Sequence, residues 1–118
     1  KTLGAELPVV RSPHAVKSRH ANLGEGTILM HGCMVNANAK IGVNCILNSQ
    51  ALIEHDVIIG NHCHISTSAV INGEVIVKNK SFIGSNATVK QSIVVAEESV
   101  VEAGIFVKNN TYPKQLIK

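Results

Sequence analysis

Leucine, isoleucine or valine occupies every sixth position from Leu23 to Val107: Leu23, Leu29, Val35, Ile41, Leu47, Ile53, Ile59, Ile65, Ile71, Val77, Ile83, Val89, Val95, Val101 and Val107. A helix or an evenly alternating strand does not return to one phase after six residues, whereas a short strand followed by a turn does. The position four beyond each aliphatic is small or β-branched, as at Thr27, Cys33, Ala39, Cys45, Ala51, Val57, Cys63 and Ala69. Both sets must face inward, so the repeating unit is a strand plus a corner. Three units close a triangular coil that cannot bury its aliphatic row alone and must stack on neighbours about 4.8 Å away. The pattern predicts an all-β chain folded as a parallel β-helix, a prism of about five triangular coils over residues 11–107.

Corner chemistry agrees. The position three beyond the aliphatic holds Gly26, Gly32, Asn38, Asn44, Asn86 and Gly104, residue types that accept positive φ at low cost. Ala15 and Ala21 carry the pattern backwards, but Arg11 and Lys17 take the aliphatic places there. A first coil whose interior is partly open to solvent follows from that exchange.

Composition narrows the class. With 118 residues and 3% aromatics the chain makes one narrow domain packed by stacked aliphatics rather than a broad core. No run has the length of a membrane span, and a cytoplasmic location is the expectation. Cys33, Cys45 and Cys63, all inward small positions, read as reduced structural thiols. A net charge of +3 without a basic run or an aromatic platform gives nucleic-acid binding no support. The stretch Lys1 to Pro8 resembles the tail of a preceding helix, so residues 1–10 are expected to be the remnant of a preceding segment and residues 108–118 a C-terminal cap or tail.

The most polar repeats run from Ile53 to Ile65, Ile-Glu-His-Asp-Val-Ile-Ile-Gly-Asn-His-Cys-His-Ile, and hold three of the six histidines. His55 falls at a variable position beside a corner, which points its ring outward, and Asp56 beside it can orient the ring and stabilise its protonated form. That arrangement suits a general base, and it equally describes a surface histidine with an acidic neighbour. His20 and His31 fall at or near corners without an evident task.

The strand-and-corner unit in Ile41-Gly42-Val43-Asn44-Cys45-Ile46 and Ile83-Gly84-Ser85-Asn86-Ala87-Thr88 resembles the hexapeptide repeat of the left-handed β-helix superfamily, and that resemblance supplies the handedness. From about Arg11 to Asn109 the chain also resembles the sugar O- and N-acyltransferases of the NeuD/PglD type. It does so through Ser12-Pro13-His14-Ala15-Val16, Ala51-Leu52-Ile53-Glu54-His55-Asp56, Ile59 to Ile65 and Ser81-Phe82-Ile83-Gly84. The more specific element is Glu-His-Asp followed nine residues later by a second histidine. The resemblance implies that His55 is the catalytic base, that Asp56 raises its basicity, and that His64 contacts the acyl region of acetyl-CoA. Ser85 and Ala103 match positions beside the coenzyme, and Asn48 and Gly73 match positions beside the acceptor. It further implies a homotrimer that acetylates an amine or hydroxyl of a nucleotide-linked sugar, with no metal. Family members carry a nucleotide-binding α/β domain ahead of the prism and a Gly-x-Pro-Ala element near its end. These residues hold no counterpart of the first, and the second position reads Asn109-Asn110-Thr111-Tyr112-Pro113-Lys114.

Geometry adds an independent constraint. Nine residues is half a coil, so His55 and His64 of one chain fall on different sides of the prism, and a site that uses both lies between subunits. Direct transfer is the expected chemistry, because the cysteines face inward and no serine has a recognisable base. Two alternatives stand beside it. A zinc carbonic-anhydrase-like prism needs three imidazoles around a metal, which the spacing of His31, His55, His62 and His64 does not reproduce. The other is a trimeric scaffold without catalysis.

Overall fold

The computed structural model describes residues 7–118, and the expected remnant over residues 1–10 lies largely outside them. Eighteen two-residue strands form three parallel sheets with no helix among the described residues. The first sheet stacks Val10–Arg11, Ile28–Leu29, Ile46–Leu47, His64–Ile65, Phe82–Ile83, Val100–Val101 and Leu116–Ile117. The second stacks Val16–Lys17, Met34–Val35, Leu52–Ile53, Val70–Ile71, Thr88–Val89 and Phe106–Val107. The third holds Asn22–Leu23, Lys40–Ile41, Ile58–Ile59, Ile76–Val77 and Val94–Val95. Each residue pairs with the one a full coil away, His64 with Ile46 on one side and Phe82 on the other. The fold is the left-handed parallel β-helix the sequence points to.

The second residue of each strand points inward, and from Leu29 to Val107 every member of the aliphatic row is buried. Stacked Leu47, Ile65, Ile83 and their counterparts on the other two sheets fill the prism axis, where each buried side chain contributes about 1.5–3 kcal/mol. At the N-terminal end Lys17 turns its ammonium group onto the carbonyl oxygens of Ser18 and Ala21, at 2.8 and 2.9 Å, so a charged residue caps the open coil. The turns number about six rather than five. After Val107 the chain turns back and pairs Leu116–Ile117 with Val100–Val101, a 16-residue step that the period of 18 does not reveal.

All corners from Gly26 to Gly104 place their second residue at φ between 55° and 73°, whether that residue is Gly, Asn, Gln50, Asp56, Glu74, Lys80 or Glu98. The thiols have a task beyond filling space. Thr27, Cys45, Cys63 and Ser81 stack in one buried row, and each donates to a carbonyl of the coil above: Gly42 at 2.8 Å, Gly60 at 3.0 Å, Lys78 at 3.2 Å and Ala96 at 3.0 Å. Burial pushes the Cys33 thiol up to about 12, and all three cysteines are free.

Candidate functional site

The site residues read from the sequence separate into two groups on one chain. His55 and Asp56 form the corner between Leu52–Ile53 of the second sheet and Ile58–Ile59 of the third. His64 lies in the first sheet, the face opposite that corner. Nothing in a single prism brings the two imidazoles together.

At the first group, His55 Nδ1 lies 2.9 Å from Asp56 Oδ2, with the two side chains 61% and 49% exposed. The corner geometry makes this pair. Asp56 adopts φ 61°, and its N–H donates to the Ala37 carbonyl of the coil below, which fixes the backbone that carries the carboxylate. The hydrogen bond to Asp56 raises the His55 pKa above its ordinary value, against a lowering by desolvation, with smaller raising contributions from the charges of Asp56, Glu74 and Glu54. Nδ1–H bound to a carboxylate leaves Nε2 as the free, basic nitrogen, the form that accepts a proton from a nucleophile.

Gly73 lies one coil above His55, and its bare Cα faces the ring. A Cβ built on Gly73 would stand 2.6 Å from His55 Nε2 and 2.7 Å from Cε1. Only a residue without a side chain lets the imidazole lie flat there, which is a steric requirement and not a matter of positive φ.

The second group runs along the corner between the first and second sheets. His64 is half-buried, meets Phe82 edge to face at a centroid distance of 5.2 Å, and accepts at Nε2 from Asn48 Nδ2 at 3.3 Å. Burial lowers its pKa, so it stands as a neutral imidazole at neutral pH. Ser85 contacts Ser66 at 2.9 Å, and its carbonyl accepts from Gly104 N–H, which sets the Ala103 corner directly above it. Asn48, His64, Ser85 and Ala103 thus line one edge, while His55, Asp56 and Gly73 line another.

Sequence reasoning missed one cluster on the first of these edges. Ser12 Oγ lies 2.5 Å from His31 Nδ1 and accepts from His14 N–H at 3.1 Å, and the rings of His14 and His31 meet edge to face at 5.8 Å. The 19-residue separation of Ser12 and His31, one coil plus one, was the available signal. A groove of about 410 Å³ lies over Ile58, Ile76, Lys78 and Glu97, apart from both groups. No cluster of three metal-ligating side chains occurs among the described residues.

No protein-family model matches the chain, and no curated protein sequence does. Solved structures do. The acetyltransferase domain of PglB from Neisseria gonorrhoeae FA1090 superposes with a TM-score of 0.93 at 28% identity, covering 95% of this chain and 55% of that one. PerB from Caulobacter crescentus, solved with CoA and GDP-perosamine, gives a TM-score of 0.92 at 32% identity over 97% of this chain and 55% of its own. The PglB domain has also been solved with acetyl coenzyme A, at a TM-score of 0.89 and 29% identity over 91% of this chain and 52% of that one. The chain therefore spans about half the length of these structures. In its fold and hexapeptide repeat it is similar to the NeuD/PglD-type sugar acyltransferases.

Proposed function

We propose that this chain transfers an acetyl group from acetyl-CoA to an amine or hydroxyl of a nucleotide-linked sugar, at sites formed between the subunits of a homotrimer. The observation that carries the proposal is the exposed His55–Asp56 pair, fixed on a corner of a prism that resembles acetyltransferases solved with CoA and a nucleotide sugar. His55 Nε2 takes the proton of the attacking nitrogen or oxygen as that atom adds to the thioester carbonyl. Asp56 holds the resulting imidazolium. Collapse of the tetrahedral adduct breaks the C–S bond, and the His55 imidazolium returns its proton to the departing sulfur, so that CoA leaves as the thiol. General-base action of this kind supplies about 10²–10⁴-fold, and positioning of the two substrates supplies much of the rest.

The coenzyme lies along the other edge in this reading, with His64 and Phe82 beside the acyl and pantetheine arm and Ser85 and Ala103 above them. Asn48 and Gly73 stand nearer the acceptor. The separation of the two edges on one chain supports the trimer, since the His55 corner of one prism meets the His64 edge of its neighbour only when subunits associate. Residues 11–107 form the catalytic unit, with residues 108–118 closing its C-terminal end. Three free, buried thiols and the use of acetyl-CoA accord with a cytoplasmic location.

The test is release of CoA thiol from acetyl-CoA in the presence of amino-sugar nucleotides, with mass detection of the acetylated product. Turnover by wild type that falls about 10²-fold or more in His55→Ala supports the assignment. Binding of acetyl-CoA by a folded trimer with no turnover on any sugar acceptor would contradict it.

A further inference from the structure

The corner between the first and second sheets continues below Asn48. Backbone bonds from Gln50 N–H to the His31 carbonyl and from Gly32 N–H to the His14 carbonyl tie His14, His31 and Asn48 into successive coils of one edge. Along that edge Ser85 and Ala103 lie on the C-terminal side of His64, and His31 and His14 on the N-terminal side. A role for the N-terminal arm rests on the acetyltransfer reading, in which a direct reaction brings donor and acceptor to the base from opposite directions. A coenzyme held by Ser85 and Ala103 leaves the N-terminal arm to the acceptor.

The chemistry of that arm is specific. Ser12 is buried, and its Oγ already accepts the His14 N–H, so its own hydrogen is free to be donated to His31 Nδ1. With Ser12 as the donor, the exposed His31 carries its proton on Nε2 and can offer it to a ligand. From Ser12 to Asn86 the corner residues of this edge include no carboxylate, whereas the opposite corner carries Glu54, Asp56 and Glu74 at the level of His55. Lower down, the same opposite corner carries Arg19, seven residues beyond Ser12 as His55 is seven beyond Asn48. In a trimer that seats His55 against the Asn48–His64 edge, the exposed Arg19 of the neighbouring copy therefore stands opposite Ser12 and His31.

We propose that Ser12, His14 and His31 of one chain, with Arg19 of the next, form a diphosphate-binding subsite for a nucleotide-linked acceptor. His31 Nε2–H and the Arg19 guanidinium donate to phosphoryl oxygens, His14 braces the His31 ring, and the sugar reaches up past Asn48 to His55. A diphosphate is also part of CoA, so the source of the phosphoryl groups needs separate arms in the test.

The experiment follows the imidazole resonances of the wild-type trimer by NMR, assigned with single histidine variants, during separate titrations with inorganic pyrophosphate, uridine diphosphate and acetyl-CoA. The expected result is a saturable shift of His14 and His31 by pyrophosphate and uridine diphosphate, weakened about tenfold or more in Arg19→Ala and in His31→Gln, the factor one charge-assisted hydrogen bond supplies. Acetyl-CoA is expected to move His64 and leave His14 and His31 in place. The proposal is overturned if pyrophosphate and uridine diphosphate leave both resonances unmoved, if Arg19→Ala binds them as wild type does, or if acetyl-CoA alone moves the pair. Should acetyl-CoA move no histidine while uridine diphosphate still shifts His14 and His31, the subsite stands and the donor assignment falls.

Discussion

At the residue scale the site depends on how one imidazole is held. His55 is exposed, so its basicity comes from the Asp56 carboxylate and not from burial. In the proposed reaction the neutral ring is the base, so kcat/KM is expected to rise with pH through the His55 pKa, which lies above the ordinary value of about 6.5, and to level off beyond it. Asp56→Asn removes the largest raising interaction, and the limb is expected to move to lower pH while the plateau falls. A pH–rate profile of both proteins reads this directly, and an unmoved limb would mean that another group titrates. Gly73 makes the second prediction at this scale. A methyl group at residue 73 meets the His55 ring at 2.6 Å, so Gly73→Ala should lower kcat about tenfold or more while leaving acetyl-CoA affinity near wild type. An unchanged kcat in a folded Gly73→Ala trimer would show that the ring position is not set by the coil above.

At the element scale the fold imposes its corners on residues that do not favour them. Lys80 and Glu98 adopt φ 62° and 56°, at a cost of about 1–2 kcal/mol for an L-residue in that region. Lys80→Gly is accordingly expected to raise stability by about 1 kcal/mol in urea denaturation, and destabilisation would contradict the strain. The buried donor row gives the opposite sign: Cys45→Ala leaves the Gly60 carbonyl without its S–H partner and should cost about 1–3 kcal/mol, more than Cys45→Ser. Those features mark what the sequence revealed. The aliphatic row and six of the corners were legible because Gly26, Asn38 and their like have intrinsic preferences. Corners at Gln50, Glu74 and Lys80 were not, because there the ladder, and not the residue, decides φ. Cysteine as a donor was hidden for a similar reason. Its partner carbonyl lies 15 residues on, in the next coil, and no local motif announces it.

At the scale of the whole molecule, His55 and His64 were legible from the Glu-His-Asp segment, and their placement on opposite sides followed from counting half a coil. The Ser12–His31 contact was signalled only by a separation of one coil plus one, which joins two unremarkable corners once the coils are stacked. The proposed chemistry depends on a site that no single prism contains. Complementation between subunits tests it most directly: His55→Ala and His64→Ala chains carrying different tags are co-expressed and the mixed trimers purified through both tags. Each mixed trimer, whether two-to-one or one-to-two, holds one site with both histidines intact, so activity is predicted at about one third of wild type while either parent alone is nearly inactive. Mixed trimers as inactive as their parents would place both histidines of each site on one chain and contradict a site shared between subunits.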